Sequence, residues 1–441
     1  MRSRSIWMLG LASGLVGVVV ALASADGLRS APARRPPQAH ARRTGPAVVS
    51  RELLRGFNPL QHHVDGERLV SDLPNGNHVE LTLDPGLQAF TEDVLEEYRV
   101  PFGALVAMDP HTGRVLAYVS HSSANPNAGD LVLDPTPPTA SVFKVITGSA
   151  LIDSGQTPST RVCYGGGEHR LSLNDITDNP AHRNCATLAQ AMGGSINAIF
   201  AKLSDQHLNP ATLERYASAF GFGQTLPFDF PTRPSPAEVP TERLEFARTS
   251  AGFWHMHMSP LHAALIGATI ANDGVMPRAF MVERVIDNDR GILGVAAAPS
   301  AFRSVIPAAT ARTVNQMMRM TVTEGTSRRT FHDPAGHPFL PGIEIAGKTG
   351  TLSAENPYRG YTWWVGFAPA DHPTIAVAAL IVNTPNWRIK ANFLAREALR
   401  YYLVEAPATR ARAAARAAAA APATPATPAA PTVPATPSRT N

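Results

Sequence analysis

Strand-like segments stand at both ends of the middle of this chain, with mostly helical sequence between them. At the early end, apolar stretches at 103–108 and 114–119 flank Asp109-Pro110-His111-Thr112-Gly113. Asp and Pro pre-set a turn and Gly takes a left-handed conformation, so the pair reads as a hairpin. At the late end, 343–351, 361–367 and 375–381 read as three more strands, followed by a closing helix over about 389–403. Between these ends, helical patterns cover 141–152, most of 185–265 and 311–324, with a break at 221–240. The segment 260–270 reads as a buried helix. Ahead of the hairpin, 78–83 alternates as a strand, and Asp84-Pro85 opens a helix over 87–98. Such a chain predicts a single mixed α/β domain whose sheet combines early and late strands.

Charge separates the flanks from this body. The 441 residues carry a formal net charge of +4, yet residues 51–405 hold 28 Lys and Arg against 34 Asp and Glu. The basic excess belongs to the ends, which argues against a broad face for nucleic acid. Arg2 and Arg4 precede an apolar run over 6–25 that ends in Ala23-Ser24-Ala25. That run is either a cleaved export signal or an uncleaved membrane anchor, and in both cases the rest of the chain is exported. Residues 26–80 are expected to be spacer and a short juxtamembrane segment, with 26–47 rich in Arg, Pro and Ala. The Ala, Pro and Thr repeats of 406–441 predict a disordered tail, since closely spaced prolines forbid a long helix.

Cys163 and Cys185 are the two cysteines. After export they can oxidise and staple one loop; two free thiols are the alternative. Gly165 to Gly167, His169, Asp175, Asp178 and His182 lie between them, a composition that suits an exposed loop better than a metal site.

Three short motifs carry candidate chemistry. Ser141-Val142-Phe143-Lys144 puts an amine three positions after a hydroxyl, on the same helical face. A neutral amine there can take the hydroxyl proton and make the oxygen nucleophilic. Ser195-Ile196-Asn197 follows Gly193-Gly194 and can aim two polar side chains into one cleft. In Lys348-Thr349-Gly350-Thr351, Lys348 sets a positive potential, Thr349 and Thr351 can bond a carboxylate, and Gly350 lets a substrate backbone approach. Gly342, Gly347, Lys348 and Thr349 also satisfy a phosphate-loop spacing. The apolar alternation of Ile343 and Ile345, with Glu344 between them, suits a strand instead.

Taken in this order, Ser-x-x-Lys, Ser-x-Asn and Lys-Thr-Gly-Thr resemble the serine penicillin-recognising enzymes. The closer resemblance is to the transpeptidase domain of class B-like penicillin-binding proteins. It extends to TLDPGLQAF, ALVAMDPHTGRVLAYVS, FGFGQTLPFDFPTRPS, SPLHAALIGATIANDGVMPRAF, MRMTVTEGTS and WWVGFAPADHPTIAVAALI. The transpeptidase domain is expected over 81–405. Ala140 departs from the pattern, because many relatives carry Gly before the nucleophile. The stretch before the domain is too short for a glycosyltransferase domain, so a bifunctional enzyme is not expected.

The resemblance implies a five-stranded antiparallel sheet flanked by helices, beside an all-helical lobe, with the site in the cleft between them. It implies that Ser141 attacks a D-Ala-D-Ala stem peptide with Lys144 as general base, and that backbone amides of Ser141 and Thr351 hold the oxyanion. Ser195 and Lys348 return a proton, Asn197 holds a stem amide, and Thr349, Gly350 and Thr351 receive the terminal carboxylate. No metal or organic cofactor is needed. Expected partners are stem peptides ending in D-Ala-D-Ala, β-lactams as covalent inhibitors and a glycosyltransferase of the cell-wall machinery. A membrane contact runs through the N-terminus if it is uncleaved. The place of action is the periplasm or the outer face of a bacterial inner membrane. Alternatives are a D,D-carboxypeptidase, a β-lactamase, and a non-catalytic β-lactam sensor or scaffold. Glu238 and Glu242 lie in the interval where a class A β-lactamase needs its Glu, but no Glu-x-x-x-Asn accompanies them. Of Trp363 and Trp364, strand alternation sends one ring to the core and the other to solvent or cleft.

Overall fold

The structure, a computed structural model, describes residues 47–167, 170–409 and 411–412. The N-terminal apolar run, His169 and nearly all of the Ala/Pro/Thr-rich tail lie outside the described residues.

Five strands form the central sheet: β1 (Phe102–Met108), β2 (Val115–His121), β3 (Ala346–Glu355), β4 (Tyr358–Ala368) and β5 (Ile375–Asn383). Their order is β3-β4-β5-β1-β2, and every pair is antiparallel. The late strands join the early hairpin through β5 and β1, so early and late segments do share one sheet.

Both faces of this sheet are covered, which is why the strands read as near-continuous apolar runs. All nine residues of β5 are buried. Ala376, Ala378, Leu380 and Val382 enter one core, and Ile375, Val377, Ala379 and Ile381 enter the other. The first core lies under the helical lobe and the helix Pro260–Ala271, every residue of which is buried. Helices Pro85–Glu97 and Ala391–Arg400 cover the second. The caps come from the sequence: Asp84 and Ser259 accept from the amides of Leu87 and His262, each with Pro at the helix start. Such caps contribute about 1 kcal/mol each.

Trp363 and Trp364 follow the alternation: Trp364 enters the core, and Trp363, on the other face, lines the cleft that holds Ser141 though its ring is almost wholly covered. They occupy opposite cores and are 1% and 0% exposed. Helices on both faces leave little solvent access to either ring. Trp363 donates its indole N–H to the Pro138 carbonyl at 2.8 Å, and Trp364 stacks on Phe331.

The expected spacer is partly folded. Ala47–Val48, His63–Asp65, Arg68–Asp72 and His78–Leu81 build a six-stranded sheet with Val282–Ile286 and Ile292–Val295. Arg284 donates to Glu80 at 2.5 Å across it. Strands this short are weak signals in isolation. Pairing with a segment some two hundred residues later stabilises them.

The strand expected over 343–351 starts later, at Ala346, because Pro341-Gly342 makes a turn with Gly342 at φ 75°. It runs on to Glu355 because 352–355 pair back against 358–361. Cys163 and Cys185 are bonded, on paired strands Arg161–Tyr164 and Asn184–Thr187. Within the loop they close, Asp175 and His182 are buried, not exposed as the polar composition suggested. Lys202 reaches in to the Cys163 carbonyl and to Asp178.

Candidate active site

Ala140–Phe143 is a 3-10 turn that runs directly into the helix Lys144–Asp153. In a 3-10 turn residues three apart eclipse each other. Lys144 Nζ therefore lies 2.6 Å from Ser141 Oγ. The turn begins at Ala140, whose φ is 48°. This left-handed backbone is the one glycine takes most readily, so the departure from Gly noted in the sequence falls on a strained position.

Lys144 is fully buried, and its amine has two carbonyl partners besides the hydroxyl: Asn197 Oδ1 at 2.7 Å and Ala251 O at 2.6 Å. Both oxygens can only accept. A neutral amine has two N–H groups for them and one lone pair for the Ser141 hydroxyl. Burial, and then the charge of Lys348, hold the Lys144 amine well below the usual lysine range. Geometry and electrostatics thus agree on a neutral amine facing a hydroxyl, the arrangement of an activated nucleophile.

Ser195 and Asn197 sit at a corner between helices Leu188–Gly194 and Asn197–His207. Ser195 is left-handed, with φ 58° and ψ 38°, and this sharp corner lets both side chains enter the cleft. Lys348, on edge strand β3, donates to Ser195 Oγ and to the Thr349 carbonyl, both at 2.8 Å. Burial lowers its amine to about 7. Of the phosphate-loop spacing, Gly342 lies in a turn and only Gly347, Lys348 and Thr349 lie in the strand, with Lys348 turned to a serine.

A cleft of about 430 Å³ is lined by Ser141, Ser195, Asn197, Thr349, Gly350 and Thr351, so all three motifs converge. Thr326, Lys390 and Asn392 also line it. Thr326 and Thr349 share a hydroxyl hydrogen bond of 2.6 Å. Sequence reasoning named neither Thr326 nor the Ala251 carbonyl. Thr326 lies within the MRMTVTEGTS stretch, but a backbone carbonyl has no sequence signature. Gly350 packs against the nucleophile's turn: a Cβ there would come within 3.1 Å of Ala140 Cβ and 3.2 Å of the Thr139 carbonyl.

Residues 103–399 match the penicillin-binding protein transpeptidase domain. The chain is 28% identical over 383 residues to the peptidoglycan D,D-transpeptidase PbpA of Mycobacterium tuberculosis, covering 76% of this chain and 74% of that one. Among solved structures, it is similar to the D,D-transpeptidase domain of a peptidoglycan glycosyltransferase from Eggerthella lenta. There the TM-score is 0.61 with 27% identity, over 74% of this chain and 83% of that one. The imipenem acyl-enzyme complex of penicillin-binding protein A from M. tuberculosis has the same fold, with TM-score 0.60 and 24% identity over 74% and 79% of the two chains. The chain belongs to the penicillin-binding protein transpeptidase family, and it is a serine-type transpeptidase.

Proposed function

We propose that this enzyme cross-links peptidoglycan stem peptides through an acyl-enzyme on Ser141. The observation that carries the assignment is the buried Lys144 amine, 2.6 Å from Ser141 Oγ with both its N–H groups engaged by carbonyls. Lys144 takes the Ser141 proton as Oγ attacks the penultimate D-Ala carbonyl. The amides of Ser141 and Thr351 hold the oxyanion. As the C–N bond breaks, Ser195 and Lys348 pass a proton to the departing D-Ala amine. Asn197 holds a stem amide, and Thr349 and Thr351 bind the terminal carboxylate beside Lys348 while Gly350 admits the substrate backbone. The amine of a second stem then attacks the ester, forming the cross-link and freeing Ser141. A β-lactam acylates the same oxygen.

The basic, apolar segment over 2–25, read as an export signal or anchor, supports a site of action in the periplasm or on the outer face of the bacterial inner membrane. A separate glycosyltransferase supplies the glycan strands.

A fluorescent penicillin, followed by peptide mapping, tests the nucleophile: label at Ser141 is expected, and label elsewhere overturns the assignment. Supplying D-Ala-D-Ala stems with and without an acceptor amine tests the reaction. Cross-linked product supports transpeptidation, and hydrolysis alone makes the enzyme a D,D-carboxypeptidase.

A further inference from the structure

The Cys163–Cys185 bond joins the paired strands Arg161–Tyr164 and Asn184–Thr187. The second of these strands runs straight into a helix. Thr187 is the N-cap of Leu188–Gly194, its hydroxyl accepting from Gln190 N at 3.2 Å. The amides of Leu188 and Ala189 bond back to the Thr160 and Pro158 carbonyls, just ahead of the first strand, at 2.9 and 3.0 Å. The helix ends at Ser195, which accepts from Lys348. One short helix therefore separates the disulfide from the serine of the second motif.

The loop that the disulfide closes also holds the two other elements around the Lys144 amine. Lys202 lies on helix Asn197–His207, whose first residue accepts from Lys144. It is 5% exposed, and its Nζ donates to the Cys163 carbonyl at 3.3 Å and pairs with Asp178 at 2.8 Å. Gly167, inside the loop, stands against the same helix: a Cβ there would come within 2.9 Å of the Cβ of Ala198, the neighbour of Asn197. The Leu171 carbonyl, also inside the loop, accepts from two nitrogens of Arg248 at 2.7 and 3.2 Å. Arg248 belongs to helix Arg243–Ser250, and the next residue after that helix is Ala251, whose carbonyl holds Lys144. The elements that carry Ser195, Asn197 and the Ala251 carbonyl are thus all tied to one disulfide-closed loop.

We infer that the Cys163–Cys185 disulfide and Lys202 are positioning residues for the acyl transfer: they fix Ser195, Asn197 and the Ala251 carbonyl around the two active-site lysines. The inference rests on the proposed serine acyl-transfer reading. Asn197 and Ala251 engage the N–H groups of Lys144 and so aim its lone pair at Ser141. Small shifts of either oxygen reach the nucleophile, because a hydrogen bond weakens steeply as it bends and catalysis depends on placement. Neither cysteine is fully buried, so a dithiol can reach the bond. In that exchange the S–S bond breaks, two electrons and two protons pass to the cysteines, and the dithiol closes to its own disulfide. The oxidised enzyme is then the fast form, and the reduced enzyme is folded but slow.

The test uses the full-length protein. Dithiothreitol reduces the bond and is then removed under exclusion of air, and alkylation followed by mass spectrometry verifies both thiols. Near-ultraviolet circular dichroism reports whether the reduced protein is folded. Its rate of Ser141 acylation by a fluorescent penicillin is expected to fall roughly tenfold and to recover on reoxidation, since displacing catalytic groups by about an ångström costs that much or more. Lys202→Met, with the disulfide intact, should slow acylation in the same direction, and Lys202→Arg should restore most of the rate. A bond that only constrains the unfolded chain would lower the melting temperature and leave the acylation rate of folded protein unmoved. That result, a loss of rate that only follows unfolding, or a wild-type rate in Lys202→Met overturns the inference while leaving the serine mechanism intact. No acylation of Ser141 in the oxidised wild type overturns the mechanism itself.

Discussion

Lys144 and Lys348 share one buried site, where burial and then the charge of Lys348 hold the Lys144 amine well below its ordinary range. Two amines so placed cannot both be protonated without repulsion. Their hydrogen-bond partners are neutral oxygens, so no carboxylate offsets it.

Replacing Lys348 therefore has a signed effect on the pH profile. In Lys348→Gln the Lys144 amine regains proton affinity, and the acid limb of Ser141 acylation moves to higher pH. The rate at neutral pH falls by roughly 10²-fold, since the general base is then mostly protonated and the relay to Ser195 is lost. The pH dependence of fluorescent-penicillin labelling measures both. An acid limb that stays in place shows that Lys348 does not act on Lys144.

The same shift links stability to pH. The Lys348 amine goes from 10.5 to about 7 on folding. Between those values the unfolded chain holds a proton that the folded chain lacks, so stability rises as pH increases from 7 toward 10. Denaturant unfolding across that window should show the rise, and Lys348→Met should lessen it, leaving the share contributed by the buried Lys144 amine.

Ser141→Ala should abolish labelling by penicillin yet leave the fold intact. Lys144 keeps Asn197 and Ala251 as acceptors. The change in unfolding free energy is expected to stay within about 1 kcal/mol. A large loss would mean that the Ser141 hydroxyl also holds the turn together.

Ala140 has φ 48°, so Ala140→Gly should relieve strain and stabilise the protein by up to about 1 kcal/mol. Ala140→Val should destabilise it, because a β-branched residue tolerates that backbone worse. Thermal unfolding of the pair gives the comparison, and equal melting temperatures would place the strain elsewhere.

The Cys163–Cys185 bond closes a loop of sequence separation 22. Its removal in a double Cys→Ser variant is expected to cost about 3 kcal/mol through the freed unfolded chain. Denaturant midpoints under non-reducing conditions check this.

Much of the catalytic architecture is written locally. The 109–113 turn, the caps at Asp84 and Ser259, and the apolar runs of the central strands are short-range signals, and they located most elements. Ser141 with Lys144, and Ser195 with Asn197, are also local pairs, set by one turn and one corner. What no local signal carries is the meeting of distant groups. The Ala251 carbonyl on Lys144 and the Thr326 hydroxyl on Thr349 exist because separate elements pack against one another. The same holds for the sheet that 47–81 forms with 282–295, whose short strands are stable only when paired.

The sequence by itself determined the residues of the three motifs, the strand and helix types, and the segregation of basic ends from an acidic body. Each of these depends on periodicity, turn chemistry or charge along the chain. Only the tertiary structure decided the state of the two lysines, because proton affinity depends on burial and on neighbours brought from elsewhere in the chain. It likewise decided the fates of the tryptophans. Trp363 and Trp364 are almost wholly covered because helices pack on both faces of their sheet, with Trp363 also lining the cleft beside Ser141, while Trp254 and Trp387 lie outside that packing and stay partly exposed.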